Sequence, residues 1–257
     1  MPKLSKDRRD IYYRKAKQLQ LRARSAFKLL QLDEEFKILK DVKYAVDLCS
    51  APGSWSQVLS QKLWANVPVH EKYLETRIVS VDLQEIAPID GVHILQADIT
   101  AKETAEEIIR LFQGHKSDLV CSDGAPDVTG LHDIDEYVQN QLVLSALHIS
   151  KAVLNKGGTF IAKIFRGKSA SLLFSQLEPY FEQVFIAKPQ SSRNSSIEAF
   201  VVGLKFQFEG DKSKGREFVS CGDLSNLDSD KSYPTNEQQY LAPIHPPMNS
   251  TVKKKNT

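Results

Sequence analysis

Two charged residues stand where the surrounding pattern calls for apolar ones. Thr159-Phe-Ile-Ala-Lys163-Ile-Phe165 reads as a buried central strand, and an ammonium inside it loses hydration that another group must replace. Glu198 raises the same question within Ser195-Ser-Ile-Glu-Ala-Phe-Val-Val202. A buried lysine and a buried glutamate are most simply explained as partners. Ionisable groups shielded in this way serve proton transfer as well as structure. Lys28, in Ala26-Phe-Lys-Leu-Leu-Gln-Leu32, has helical spacing around it and by itself reads as a surface residue.

Three acids follow apolar runs at their carboxyl ends. Asp82 closes Ile78-Val-Ser-Val-Asp82, Asp98 lies just after Val92-His-Ile-Leu95, and Asp123 follows Asp118-Leu-Val-Cys121. Gly53 sits in the turn Ala51-Pro-Gly-Ser-Trp55, which follows the first run, Tyr44 to Cys49. Parallel strands gather such positions at one sheet edge, where open α/β sheets bind ligands. There Asp82 suits a two-pronged grip on ribose hydroxyls and Asp98 suits an adenine amino group. At Gly53 a missing side chain lets backbone approach a ligand. Singly, each acid is an ordinary loop cap; a series at successive strand ends points to a ligand. The chain has neither a G-x-G-x-x-G turn nor a G-x-x-x-x-G-K-[ST] loop. A nucleoside ligand without phosphates fits best, and S-adenosylmethionine is the obvious one.

The elements that must place these residues alternate. Apolar runs at 44–49, 78–82, 92–95, 118–121, 159–163 and 197–203 are separated mostly by helical patterns, clearest at 104–112 and 135–154. Trp55 to Leu63 continues as a helix with Ser54 as its expected N-cap, and Asn155-Lys-Gly-Gly158 reads as a helix stop. Alternation of this kind predicts a mainly parallel sheet with helices on both faces. Trp64 to Thr76 reads as a surface loop.

The 257 residues, 41% of them hydrophobic, can bury one sizeable core. No apolar run approaches the roughly 20 residues a bilayer requires, so a soluble, intracellular protein is expected. Cys49, Cys121 and Cys221 lie too far apart in sequence to suggest a disulfide framework or a zinc site. Net charge is +2, but the first 30 residues carry ten Lys or Arg against Asp7 and Asp10. Such a basic arm suits a phosphate backbone, with Tyr12 and Tyr13 offering faces for stacking. We divide the chain into that arm (1–21), a catalytic domain (22–206) and a polar tail (207–257) in which Phe218, Tyr233 and Tyr240 are candidates for docking.

Over almost all of residues 1 to 206 the chain resembles the FtsJ-like RNA ribose 2′-O-methyltransferases. The matching segments are Arg22-Ala-Arg-Ser-Ala-Phe-Lys28-Leu, Val46-Asp-Leu-Cys-Ser-Ala-Pro-Gly53-Ser-Trp55-Ser-Gln, Asp123-Gly-Ala-Pro-Asp-Val-Thr-Gly130, Phe160-Ile-Ala-Lys163 and Lys188-Pro-Gln-Ser-Ser-Arg-Asn-Ser-Ser-Ile-Glu198. The resemblance implies a Rossmann-like S-adenosylmethionine-dependent methyltransferase fold with a seven-stranded, mainly parallel sheet. It implies a catalytic set of Lys28, Asp123, Lys163 and Glu198. The donor contacts it implies are Gly53, Trp55, Asp82, Asp98 and Asp123. Ser50 stands where many members carry alanine.

Within the family the chain is most similar to the eukaryotic cytosolic branch that modifies the tRNA anticodon loop. That similarity implies methylation of the first loop nucleotide and the wobble nucleotide, directed by a helical-repeat partner and a WD-repeat partner, in the cytoplasm. Lys163 is then the expected proton acceptor, with Lys28 positioning the hydroxyl and Arg22, Arg24 and Arg193 gripping phosphates. No metal is required, because the sulfonium methyl is itself a strong electrophile. Ribosomal RNA, the messenger RNA cap, and a non-catalytic RNA-binding scaffold are the competing readings.

Overall fold

In the computed structural model, which describes residues 10–207 except 69, 73, 127–128, 168–169 and 194–195, together with 219–220, the apolar runs align as one sheet. Its strands are β1 (Ala45–Leu48), β2 (Ile78–Asp82), β3 (His93–Gln96), β4 (Ser117–Ser122), β5 (Leu154–Phe165), β6 (Phe181–Ala187) and β7 (Glu198–Phe206). A two-residue β8 (Val219–Ser220) pairs beside β6, giving the order β3-β2-β1-β4-β5-β7-β6-β8. The first five positions in that order run parallel, and β7 is inserted antiparallel between β5 and β6. Consecutive numbering reverses at β1 and β4, where open parallel sheets place their ligand crevice.

Among the described residues six α-helices cover the sheet: α1 (Ile11–Gln18), α2 (Ala26–Phe36), α3 (Ser54–Leu63), α4 (Lys102–Leu111), α5 (His132–Val153) and α6 (Ala170–Leu177). Strand side chains alternate between faces, and the buried apolar residues divide accordingly into two clusters. One joins Val46, Leu48, Val79 and Phe160 to Ile108, Val143, Ala146 and Leu177, from α4, α5 and α6. The other joins Ala45, Ile78, Cys121, Ile161 and Phe200 to Ala16, Leu29, Trp55 and Leu59, from α1, α2 and α3. This is the expected Rossmann-like architecture with seven principal strands.

Local departures have physical causes. α5 ends at Val153, just before Asn155 to Gly158 as expected, but the chain then passes straight into β5 at Leu154, whose backbone is extended (φ −71°, ψ 143°). The strand absorbs the four residues as an irregularity, because Leu154 pairs with Ser117 while Thr159 already pairs with Leu119. Ser54 is not the cap of α3 but its first residue; Gly53 caps in the left-handed region (φ 94°). α6 and β6 escaped the pattern reading because Phe181-Glu-Gln-Val-Phe-Ile-Ala187 lacks strict alternation. In the 64–76 segment Trp64 is buried, donating from Nε1 to Gly91 O at 2.9 Å with the Arg77 guanidinium 4.7 Å from its ring. Of the basic arm, residues 10–21 are described: Asp10 caps α1 by accepting from Tyr12 N and Tyr13 N at 3.0 and 3.2 Å. Phe218, Tyr233 and Tyr240 lie outside the described residues.

Candidate active site

β7 enters the sheet at Glu198, beside the carboxyl end of β5. Antiparallel register sets Lys163 opposite Phe200 and Phe165 opposite Glu198, so Lys163 and Glu198 share the face that α2 covers. They sit on a diagonal, a spacing of roughly 7–8 Å between such positions, and do not pair directly as expected. Lys28 of α2 fills the gap. Its Nζ donates to Glu198 Oε2 at 3.0 Å, approaches Asp123 Oδ1 at 3.5 Å and lies 5.6 Å from the Phe200 ring centre. Lys163 Nζ in turn lies 3.2 Å from the same Asp123 Oδ1 and donates to the Asp123 backbone oxygen at 2.7 Å. The four side chains therefore form a line of alternating sign, Glu198, Lys28, Asp123, Lys163.

Burial makes that line electrostatically strong. Lys28 and Lys163 are only 8% and 9% exposed, well below what an unpaired lysine tolerates. Burial pushes the Glu198 carboxyl up, but the attraction and hydrogen bond of Lys28, with help from Ser192 and Lys163, outweigh it and hold the group below its ordinary range. Lys28, a surface residue by its sequence context, is thus a central member. The sequence hid this because α2 packs Lys28 and Leu29 on the same buried side.

The second group of candidates gathers at the ends of β1 to β4. Asp82 Oδ2 accepts from Ala51 N and Oδ1 from Gln84 N, both at 2.8 Å, so the carboxylate is fixed against the turn after β1. Asp98 Oδ1 accepts from Thr100 N at 2.8 Å, and the Thr100 bonds lower its pKa while it stays exposed. A side chain at Gly53 would meet Ile89 Cδ1 at 2.7 Å and Arg22 NH1 at 2.9 Å. Its absence thus admits protein as well as permitting the left-handed backbone. Trp55 is 1% exposed, donates from Nε1 to Ser25 O at 2.9 Å and packs on Phe200. Its indole belongs to the core, and what it offers a ligand is the N–H of a helix first turn.

The arginines are held within the protein. Arg22 donates to the carbonyls of Pro52, Ala87 and Pro88 at 2.7–2.9 Å, tying the two loops beside the crevice together. Arg24 bonds to Asp10 and to the Ser191 carbonyl, while Arg193, half-exposed, has Nε 3.8 Å from Asp10. The Tyr12 ring lies against Phe27 (5.4 Å) and Arg24 (6.0 Å), and Lys17 covers Tyr13 (5.0 Å).

Several supporting residues gave no sequence signal. Gln139, buried on α5, donates to Gly124 O at 3.1 Å and Lys163 O at 2.6 Å, linking the backbones beside two members of the charged line. Asp135 accepts from Thr129 N and Gly130 N at 2.8 and 3.1 Å, closing the loop after Asp123. Lys188, beside the end of β6, donates to Ser196 O at 2.8 Å; burial and Arg166 push its pKa down to about 8. A polar residue on a helix face that is otherwise apolar, as at Gln139, was the one available hint.

Two alternating cations and carboxylates beside a crevice of strand-end acids can position a hydroxyl, take its proton and hold a nucleoside. Known proteins are similar to the chain over most of its length. The chain is 50% identical over 277 residues to a human protein named tRNA (cytidine(32)/guanosine(34)-2′-O)-methyltransferase, covering 96% of this chain and 82% of that one. A Schizosaccharomyces pombe protein of the same name is 49% identical over 274 residues, covering 99% and 96%. A solved Plasmodium falciparum structure described as a ribosomal RNA methyltransferase superposes with a TM-score of 0.61 at 28% identity, covering 72% of this chain and 98% of that one. The model of the FtsJ-like methyltransferases matches residues 21–206, which span strands β1 to β7 and both groups of site residues. On that match the chain belongs to the FtsJ-like methyltransferase family.

Proposed function

We propose that this methyltransferase moves a methyl group from S-adenosylmethionine to ribose 2′-hydroxyls of the tRNA anticodon loop, at nucleotides 32 and 34. The line Glu198, Lys28, Asp123, Lys163 carries the chemistry, and the names of the two eukaryotic relatives supply the substrate. The donor set suits the cofactor: carboxylates at the ends of β2 and β3 accept from hydroxyl and amino groups, and the first turn of α3 presents N–H groups. Asp82 would hold the ribose hydroxyls, Asp98 the adenine side, and Gly53, Trp55 and Asp123 the remainder. When bound, S-adenosylmethionine supplies the electrophilic methyl.

The chain's own residues do the rest. Asp123 offers Lys163 two acceptors, its backbone oxygen and Oδ1. To accept the substrate proton Lys163 must react as the free amine, with an N–H kept on the Asp123 backbone oxygen and the lone pair turned to the substrate. Lys28, fixed by Glu198 and Asp123, stabilises negative charge developing on the 2′-oxygen. The basic arm and Arg193 would hold phosphates, whereas Arg22 and Arg24 would act chiefly by shaping the loops. The protein works in the cytoplasm with a helical-repeat partner for one site and a WD-repeat partner for the other. No helix among the described residues is long and apolar enough to cross a membrane.

The test is nucleoside mass spectrometry of tRNA incubated with protein, partner and labelled donor. We expect 2′-O-methyl label in the anticodon loop, lost in Lys163→Ala. Label on a base, or full activity in the variant, sinks the assignment; label confined to ribosomal RNA sinks only the substrate.

A further inference from the structure

Beneath the Gly53 turn lies a polar cluster that the proposed chemistry leaves unused. Asp47 is fully buried, on the face of β1 that meets α3, with Ser80 of β2 and Cys121 of β4 directly beside it in register. Ser56 Oγ lies 2.6 Å from Asp47 Oδ2 and 2.9 Å from Ser80 Oγ. Ser80 Oγ lies 2.7 Å from Ser50 Oγ, which in turn reaches Val81 O at 3.2 Å. These four contacts need four protons, and three hydroxyls supply three. The fourth can come from the carboxyl. Ionised, Asp47 would draw the Ser56 proton to itself, and one contact along the row would then bring two acceptors together with no proton between them.

The surroundings favour the neutral acid. The groups that face Asp47 are the Ser56 hydroxyl and N–H from α3, Ser80 from β2, and the Cys121 thiol from β4 at 3.8 Å; Cys49 of the same run and Asp123 act from farther off. Burial pushes the carboxyl up to about 7 and Asp123 adds to it, against the lowering effect of Ser56. Burial likewise pushes Cys49 up to about 12 and Cys121 well above its usual range, so neither thiol ionises in exchange.

We propose that Asp47 stands protonated and heads a one-way hydrogen-bond chain through Ser56, Ser80 and Ser50 to the Val81 carbonyl, holding the Ser50–Gly53 turn in the shape that meets the methyl donor. Asp47 is a positioning residue: it acts through Ser50, whose backbone oxygen accepts from Gly53 N at 2.6 Å and whose N–H donates to Val81 O at 3.1 Å. Only the final step, to the donor, rests on the proposed function.

Infrared spectra of the full chain at pH 6 should show the carbonyl band of a buried protonated carboxyl that is missing from Asp47→Asn. Ser80→Ala removes the acceptor of the Ser56 proton and releases that proton to Asp47. The pH at which the band disappears should therefore fall by roughly one unit, whereas a carboxyl raised by burial alone would not move down. Calorimetric binding of S-adenosylmethionine without RNA should weaken as pH rises through about 7 in the native protein. Asp47→Asn, which donates an N–H in place of the proton, should bind without that pH dependence. An absent band, or a band unmoved in Ser80→Ala, overturns the chain. A chain that behaves as described, with donor affinity indifferent to pH, overturns the positioning role. None of these measurements involves tRNA, so a failed methylation assay leaves them intact.

Discussion

The carboxylates of the site are held in two different ways on its two sides. At the ends of β2 and β3, Asp82 and Asp98 accept backbone N–H groups from residues two positions on, and Asp82 also from Ala51 across the crevice. At the ends of β4 and β7, Asp123 and Glu198 face ammonium groups that arrive from α2 and β5. Backbone donors fix an acid and leave oxygen lone pairs for a neutral ligand. Ammonium partners set up a field that steadies charge and can move a proton. On the proposed function, donor binding and chemistry then lie side by side on one sheet edge, with Asp123 common to both.

Substitutions can break or sharpen that division. The largest effect should come from Lys163→Ala: turnover falls roughly 10²–10⁴-fold while calorimetric donor affinity is unchanged. Asp82→Ala should do the reverse, weakening donor affinity roughly 100-fold, the scale of one charged hydrogen-bonding group, with turnover recovered at saturating donor. A drop in turnover that saturation does not restore would merge the two sides. Glu198→Gln should lower turnover roughly tenfold by loosening Lys28, and it carries a stability signature. Because the folded pKa of Glu198 lies below its unfolded value, its stabilisation is present above about pH 4.3 and is lost as pH falls through the folded value. The gap in unfolding midpoint between the native protein and Glu198→Gln should therefore be widest near neutral pH and close in acid. The smallest effect is expected for Trp55→Phe, about 1 kcal/mol of stability from the lost bond to Ser25 O, with donor affinity unchanged because the indole faces the core.

The two sides also differ in how far they could be read from sequence. Asp82 and Asp98 were legible because a strand-end acid keeps its place relative to its own strand, and the period of two marks where the strand is. Lys163 was legible as a charge inside an apolar run. Lys28 was not, since a lysine on an amphipathic helix carries no mark of the surface it will meet. The expected Lys163–Glu198 pair failed for a related reason: both residues were seen to be buried, but the diagonal between them depends on the register of β7 against β5.

By itself the sequence determined the alternation of strands and helices, the parallel half of the sheet and the row of acids along its edge, since all follow from local periodicity and turn chemistry. Tertiary structure alone decided that β7 inserts antiparallel beside β5 and that Lys28 bridges Asp123 and Glu198. It also decided that Arg22 and Arg24 bond to their own protein and that Asp47 lies under the Gly53 turn with three hydroxyls beside it. Those features join residues far apart along the chain, and only packing and strand register specify such contacts.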